Sequence, residues 1–170
     1  ENPGEAFSMI ESFWRFLAQL LVLPCHTVAA LNGHAFGAGL FMALACDYRA
    51  MRTERGFICF PELNLGMRLS KAFAELAKAK LSPATLREGV LMGRRFSSGE
   101  ALRVGMIDRE VAIADLRVEA EQMAASMLPT SLKLLRFDAT ALQMMKIELY
   151  TDAYRALTTA TSTSEPQSRL

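Results

Sequence analysis

Long apolar runs are missing from this sequence. Near its start the longest, Leu20 to Leu23, covers four residues, against the roughly 20 that a membrane-spanning helix needs. No signal-peptide pattern is visible. Charge of one sign is lacking too: 19 basic residues stand against 18 acidic ones, for a net charge of +1. With no basic stripe and no interleaved aromatics, recognition of nucleic acid or of an anionic lipid surface is disfavoured. Cysteine is scarce and odd in number. Cys25, Cys46 and Cys59 are dispersed among apolar neighbours, the usage of reduced core cysteines rather than of a disulfide framework or a zinc site. Only His26 and His34 could assist a catalytic thiol, and neither spacing matches a nucleophile motif. There is no internal repeat and no interdomain linker.

What is present suits one globular domain: 170 residues, 51% hydrophobic and 22% charged, enough for a sizeable core. The chain begins at Glu1 without a methionine, so a fragment or a processed product is expected. Asn2, Pro3 and Glu5 read as a helix start. Phe7, Ile10, Phe13 or Trp14, and Leu17 follow at helical spacing, and Pro24 ends that helix. Thr27 to Leu31 predicts a buried strand entering the Asn32-Gly33 turn. Leu40 to Cys46 predicts a buried helix, Tyr48–Met51 and Phe57–Phe60 two strands, and Pro61 to Gly66 a loop. Helices are expected over Leu69–Lys80, from Ser82-Pro83 to about Met92, and from Ser97 or Ser98 to Gly105. Met106 to Val111 reads as strand-like. Two helices should follow, split near Pro129, the second ending around Leu157. Thr158 onward is Ser/Thr-rich and polar, the composition of a loose tail.

Two features carry chemistry. Asn32-Gly33-His34-Ala35-Phe36-Gly37-Ala38-Gly39 lies between a strand and a helix. Its small residues permit close approach to the backbone. A helix starting there aims free N–H groups and its positive dipole end outward, where a developing oxyanion can be held. A packing turn is the alternative. In Pro61-Glu62-Leu63 with Gly66, a carboxylate sits between apolar segments. Such surroundings raise its pKa and make it a better proton acceptor. The alternative is a surface glutamate in water.

Taken together, the order strand, Asn-Gly-x-Ala-x-Gly-x-Gly, buried helix, Cys46-Asp47, strand, Pro61-Glu62-x-x-x-Gly66 resembles the enoyl-CoA hydratase/isomerase (crotonase) superfamily. Leu91-Met92-Gly93-Arg94-Arg95-Phe96-Ser97, Glu100-Ala101-Leu102 and Val104-Gly105-Met106-Ile107-Asp108 resemble a further segment of it. The resemblance runs from about Leu23 to Val111. It implies an α/β fold, the ClpP/crotonase spiral of ββα units with a helical C-terminal region, here N-terminally truncated. The implied division is 1–112 for the spiral core, 113–157 for helices serving trimer contacts and the acyl pocket, and 158–170 for the tail.

By the same resemblance, the oxyanion-hole amide falls on Ala38, where many members have glycine, and the catalytic glutamate falls on Glu62. Gly37, Gly39, Phe41, Leu63 and Gly66 would line the substrate pocket. Phe41 stands where the hydratases carry a second glutamate. Water addition uses two carboxylates, whereas moving a double bond needs one base that removes a proton and returns it elsewhere. The pattern is therefore that of the Δ3,Δ2-enoyl-CoA isomerases, and the stretch from Asn32 through Arg55-Gly56 looks most like the plant peroxisomal type. Glu62 would take a proton from C2 of a 3-enoyl-CoA and return it at C4 in fatty acid β-oxidation. Coenzyme A enters as the substrate's thioester, and neither metal nor redox cofactor is implied. The family's first oxyanion donor and its adenine-binding segment come from an upstream motif that nothing here resembles. Members assemble as trimers or hexamers.

The C-terminal Ser168-Arg169-Leu170 resembles the Ser-Lys-Leu peroxisomal address, which implies a peroxisomal import receptor as partner and a peroxisomal location. Other residues read more plainly. His34 is expected to pack or to make a backbone hydrogen bond, Asp47 to be structural, and Glu75 to lie on a solvated helix face. Met67, Met92, Met106, Met144 and Met145 read as core or acyl-pocket lining. Arg94 and Arg95 read as a surface turn, with a phosphate of coenzyme A as the alternative. Two rivals stay open: a hydratase, dienoyl-CoA isomerase or thioester hydrolase using an unrecognised acid, and a non-enzymatic interaction module.

Overall fold

Strand β1 (Val28–Leu31) starts the first turn of the spiral, and the chain then moves into a second sheet as β2 (Ala35–Phe36). This computed structural model describes residues 3–126 and 138–161, with side chains from Ser8 onward. Before β1, helix α1 (Pro3–Leu21) buries Trp14, Leu17, Ala18 and Leu21, the three- and four-residue spacing of one helix face. After β2, helix α2 (Ala38–Ala45) closes the first turn. Its apolar residues sit on all sides because it runs through the core: Leu40, Phe41, Leu44 and Ala45 have no exposed surface.

The second turn repeats the pattern. β3 (Tyr48–Arg52) pairs parallel with β1, and β4 (Ile58–Cys59) pairs parallel with β2. A 3₁₀ turn (Leu63–Leu65) and helices α3 (Lys71–Lys80) and α4 (Pro83–Leu91) follow. The third turn visits the sheets in the opposite order. β5 (Arg95–Phe96) joins β4 antiparallel, α5 (Ser98–Arg103) crosses over, and β6 (Arg109–Val111) joins β3 parallel. The sheets are therefore β1-β3-β6 and β2-β4-β5.

Helix starts follow local rules. Ser70, Ser82 and Ser97 accept from the amides of Phe73, Thr85 and Glu100, satisfying donors that a first helical turn leaves unpaired. Ser97 and Glu100 form a reciprocal capping box. Pro83 occupies the first turn of α4, where its missing N–H costs nothing.

Beyond β6, α6 (Leu116–Ser126) lays Leu116 and Met123 on Ala50 of β3. The expected break near Pro129 lies outside the described residues. The single helix expected after it is two, α7 (Ala139–Leu149) and α8 (Thr151–Thr159), parted at Tyr150. The bend has a packing reason. Lys146 on α7 reaches the loop after α1, while Ala153 and Leu157 on α8 pack into the main core against α1 and α3. One straight helix cannot serve both. Helix also runs through Thr158 and Thr159.

Three other departures concern short elements. β2 and β5 have two residues each, too few for an alternation to show. The expected loop at Pro61–Gly66 contains a 3₁₀ turn, ended by Gly66 in the left-handed region at φ 64°. Among the described residues no helix is long and apolar enough to cross a membrane.

Candidate active site

The pairing of β2 with β4 decides the site. It matches Ala35 with Ile58 and Phe36 with Cys59, and the Gly37 N–H then donates to the Cys59 carbonyl at 3.3 Å. Gly37, directly before Ala38 of α2, then lies against Pro61, directly before Glu62. Gly37 has φ 49° and ψ −117°, and a Cβ built on it would stand 3.6 Å from Pro61 Cγ. A side chain at that φ would be strained, so glycine is required at this junction.

Gly37 caps α2 without any side-chain hydrogen bond, and its carbonyl accepts from the Phe41 N–H at 3.0 Å. The amides of Ala38 and Gly39 belong to the first helical turn and have no partner within the helix. Ala38 and Gly39 are exposed. An oxygen that gains negative charge in front of them meets N–H donors and the positive end of the helix dipole.

Glu62 begins the 3₁₀ turn. Its carbonyl accepts from Leu65 at 3.1 Å and from Met67 at 2.8 Å, which ties down the backbone on both sides of Gly66. Asn64 Nδ2 donates to the Gly93 carbonyl at 3.1 Å, pinning the turn to the end of α4. The Glu62 side chain is half-buried, and its Oε2 is buried with no hydrogen-bond partner among the described residues. Loss of water raises its pKa above the ordinary glutamate value, against a smaller opposing pull from its own backbone N–H. A carboxylate that holds water poorly and has an idle oxygen is suited to accept a proton.

The other expected pocket residues are placed differently from one another. Phe41 is wholly buried, stacked flat on Phe73 at 4.0 Å between ring centroids and edge-on to Phe60 at 5.6 Å. It points from α2 into the core, against α3, rather than lining an open pocket. Leu63 and Gly66 are exposed beside Glu62. Gly39 borders a cleft of about 330 Å³ on the β1 side of α2, shared with Asn32, Gly33, His34 and Met42. Glu62, Leu63 and Gly66 do not border that cleft.

His34 makes the expected backbone contact, its Nδ1 accepting from the Phe57 N–H at 3.2 Å. Glu75 pairs with Lys78 at 2.9 Å on the α3 surface. Arg94 is held between Glu88 and Glu100, at 2.8 Å from the latter, which leaves it a structural residue. Glu100, bound by Ser97 and Arg94, is pulled down to about 2. Arg95 is exposed, with its guanidinium over the Phe36 ring. Of the five methionines read as core or pocket lining, Met106 alone is buried; Met67, Met92, Met144 and Met145 are exposed. Cys59 is buried, but Cys25 is exposed and Cys46 only partly covered, so the reading of core cysteines holds for one of three. Burial pushes the thiols of Cys46 and Cys59 up, away from the reactive thiolate. Ser168, Arg169 and Leu170 lie outside the described residues.

Two supporting residues escaped the sequence reading. Asn64 looks like any polar loop residue until Gly93 is found opposite it. Lys146 is buried, donating to the Leu23 and Cys25 carbonyls and to Asp47. Nothing in its neighbourhood in the sequence separates it from a surface lysine.

The profile of the enoyl-CoA hydratase/isomerase family matches residues 2–167. The chain belongs to that family. Among curated relatives of this crotonase chain is "Enoyl-CoA delta isomerase 2, peroxisomal" of Arabidopsis thaliana. It is 39% identical over 125 residues, covering 69% of this chain and 52% of that protein. "Enoyl-CoA delta isomerase 3" of the same plant is 42% identical over 101 residues, covering 59% of this chain and 42% of that protein. The chain thus spans about half the length of the curated relatives it matches. Human mitochondrial delta3-delta2-enoyl-CoA isomerase superposes with a TM-score of 0.79 at 23% identity, over 93% of this chain and 59% of that one. An enoyl-CoA hydratase from Mycobacterium ulcerans gives 0.80 at 23%, over 92% and 65%. These two likenesses show the crotonase fold, with its helical C-terminal region, and by themselves no reaction.

Proposed function

We propose that the protein isomerises 3-cis- or 3-trans-enoyl-CoA to 2-trans-enoyl-CoA in fatty acid β-oxidation, with Glu62 as the single base. The observation that carries this reading is the buried Oε2 of Glu62, without a hydrogen-bond partner among the described residues, on the segment whose Pro61 packs against Gly37 at the uncapped start of α2. The Ala38 N–H, together with a second amide from outside the residues described, receives the thioester oxygen. Glu62 removes a proton from C2, and the C2–H electron pair delocalises as a dienolate onto that oxygen. The same carboxyl then returns the proton at C4 as the double bond settles between C2 and C3. A base poised near its substrate contributes typically 10²–10⁴-fold, and an oxyanion donor on the order of 10²–10³-fold. No metal or redox cofactor takes part in this scheme.

Phe41 favours isomerisation over hydration. It stands at the position of the hydratases' second carboxylate, cannot carry a proton, and is packed between aromatic rings. The names of the plant relatives support the same reaction. Two of those names support a peroxisomal location. Membership of the family supports a homotrimer or hexamer.

The test is conversion of 3-hexenoyl-CoA to 2-hexenoyl-CoA, followed by absorbance of the conjugated thioester, with Glu62→Gln alongside. Conversion that the substitution abolishes is expected. Conversion that survives it removes Glu62 from the scheme, and hydration of crotonyl-CoA at a comparable rate replaces isomerase with hydratase.

A further inference from the structure

The imidazole of His34 extends the ladder that brings the two halves of the site together. β2 and β4 contain two residues each, a pairing with little stability of its own. Its backbone rungs run from the Ala35 N–H to the Phe57 carbonyl at 2.9 Å and from the Gly37 N–H to the Cys59 carbonyl at 3.3 Å. One residue before the first rung the ladder has no backbone partner for the Phe57 N–H. His34 Nδ1 takes that place, accepting it at 3.2 Å. The donor is a main-chain amide, so Nδ1 carries no proton in this arrangement. The ring also packs against Phe57, with centroids 5.8 Å apart and planes at 20°, and against Phe36 at 5.0 Å. On the other side of the turn, Gly56 sits so tightly on Gly33 that a Cβ there would come 2.5 Å from the Gly33 carbonyl oxygen.

We propose that His34 is a positioning residue for the isomerase reaction: its Nδ1, by accepting the Phe57 amide, holds the Ala38 N–H and the Glu62 carboxylate at their working separation. The proposal rests on the isomerase reading for its kinetic consequence, while its structural content stands on the ladder itself. The physical argument is leverage. Ala38 follows the Gly37 rung directly, and Glu62 follows Cys59 by three residues. Slack at Phe57 therefore passes to both reacting partners. A displacement on the order of 1 Å in such a geometry can cost on the order of 100-fold in rate. His34 itself reaches neither the base nor the donor, so its loss affects turnover more than binding.

Two substitutions separate the hydrogen bond from the stacking. His34→Asn keeps a short acceptor and discards the ring; His34→Phe keeps the ring and discards the acceptor. The measurements are kcat and KM for 3-hexenoyl-CoA and the hydrogen-exchange rates of the Phe57 and Gly37 amides, on the full-length protein. The expected result is a kcat lowered about 10- to 100-fold in His34→Phe with KM within about twofold. Both amides should exchange faster in that variant, and His34→Asn should stay near wild type in all respects. The reverse order, with His34→Asn impaired and His34→Phe intact, makes the ring a packing element and overturns the proposal. Unchanged amide exchange in His34→Phe overturns it as well. Should the wild type convert no enoyl thioester, the isomerase reading fails separately, and the exchange rates alone decide whether His34 holds the ladder. Should His34→Phe not fold, a His34→Asn that folds with native exchange and turnover supports the acceptor role, and an impaired one overturns it.

Discussion

Lys146 and Asp47 meet 2.7 Å apart with both side chains almost wholly removed from water. They join α7 to the start of β3 across 99 residues of sequence. Asp47 Oδ2 also accepts from the Thr27 backbone at 2.8 Å and from its hydroxyl at 3.0 Å, so the carboxylate ties the strand entering β1 as well. Lys146 spends its remaining donors on the carbonyls of Leu23 and Cys25. The expectation that Asp47 is structural therefore has a definite content: it anchors the C-terminal helices onto the spiral.

Replacing Lys146 with Met should leave Asp47 buried without its counter-charge. Breaking a buried pair from one side costs about 3–5 kcal/mol. The urea midpoint of Lys146→Met should fall accordingly, with α7 and α8 losing amide protection first. A variant as stable as wild type would show that the pair is incidental.

Glu62 should reveal itself by pH. Its pKa is raised by burial, so the proton-accepting carboxylate forms at higher pH than it would in an ordinary glutamate. The acid limb of kcat/KM should accordingly lie above that of an ordinary glutamate and disappear in Glu62→Gln, which should lose 10²-fold or more in kcat. Stability moves the opposite way. A raised folded-state pKa favours the protonated form, so the group's contribution is present in acid and lost as pH rises through the raised value. Glu62→Gln should therefore match wild type in acid and exceed it at neutral pH, as read from thermal midpoints.

By the family resemblance Phe41 falls where a hydratase would carry its second acid, which invites Phe41→Glu. The expected outcome is loss of the fold rather than gain of hydration, because the new carboxylate would sit unpaired among Phe60, Phe73 and Leu44. Truncation to Ala should cost about 3–5 kcal/mol. Circular dichroism and crotonyl-CoA hydration, measured on the same sample, check both statements. A folded Phe41→Glu protein that adds water would refute the packing argument.

Gly56 has φ 109° and no room for a Cβ against the Gly33 carbonyl. Gly56→Ala should cost on the order of 1–3 kcal/mol and push the Asn32-Gly33 turn away from β4. A thermal midpoint unchanged within about a degree would mean the turn accommodates the methyl without cost.

Much of the local structure was legible because it is decided within a few residues. Ser70, Ser82 and Ser97 announce helix starts by offering a side-chain acceptor to an amide three residues on. The helix α2 and the strand β1 are apolar runs bounded by turns. The spacing from Asn32 to Glu62 was enough to recognise the family and to name Ala38 and Glu62. It could not say which way either faces.

What the sequence determined alone was thus the family, strands β1 and β3, most of the helices and the residues proposed to act on a thioester, all properties of short-range pattern. Tertiary structure decided which groups lose their water and which distant partners they find. It enclosed Phe41 and Lys146 but left Met67, Met92 and Met145 exposed, though nothing local distinguishes these methionines from Met106. It broke the last helix at Tyr150 so that Lys146 and Leu157 could both be buried. It also set two-residue strands into a sheet on the strength of neighbours supplied from elsewhere in the chain. Burial and pairing across tens of residues depend on what the rest of the chain brings to a position, and no periodicity at that position records it.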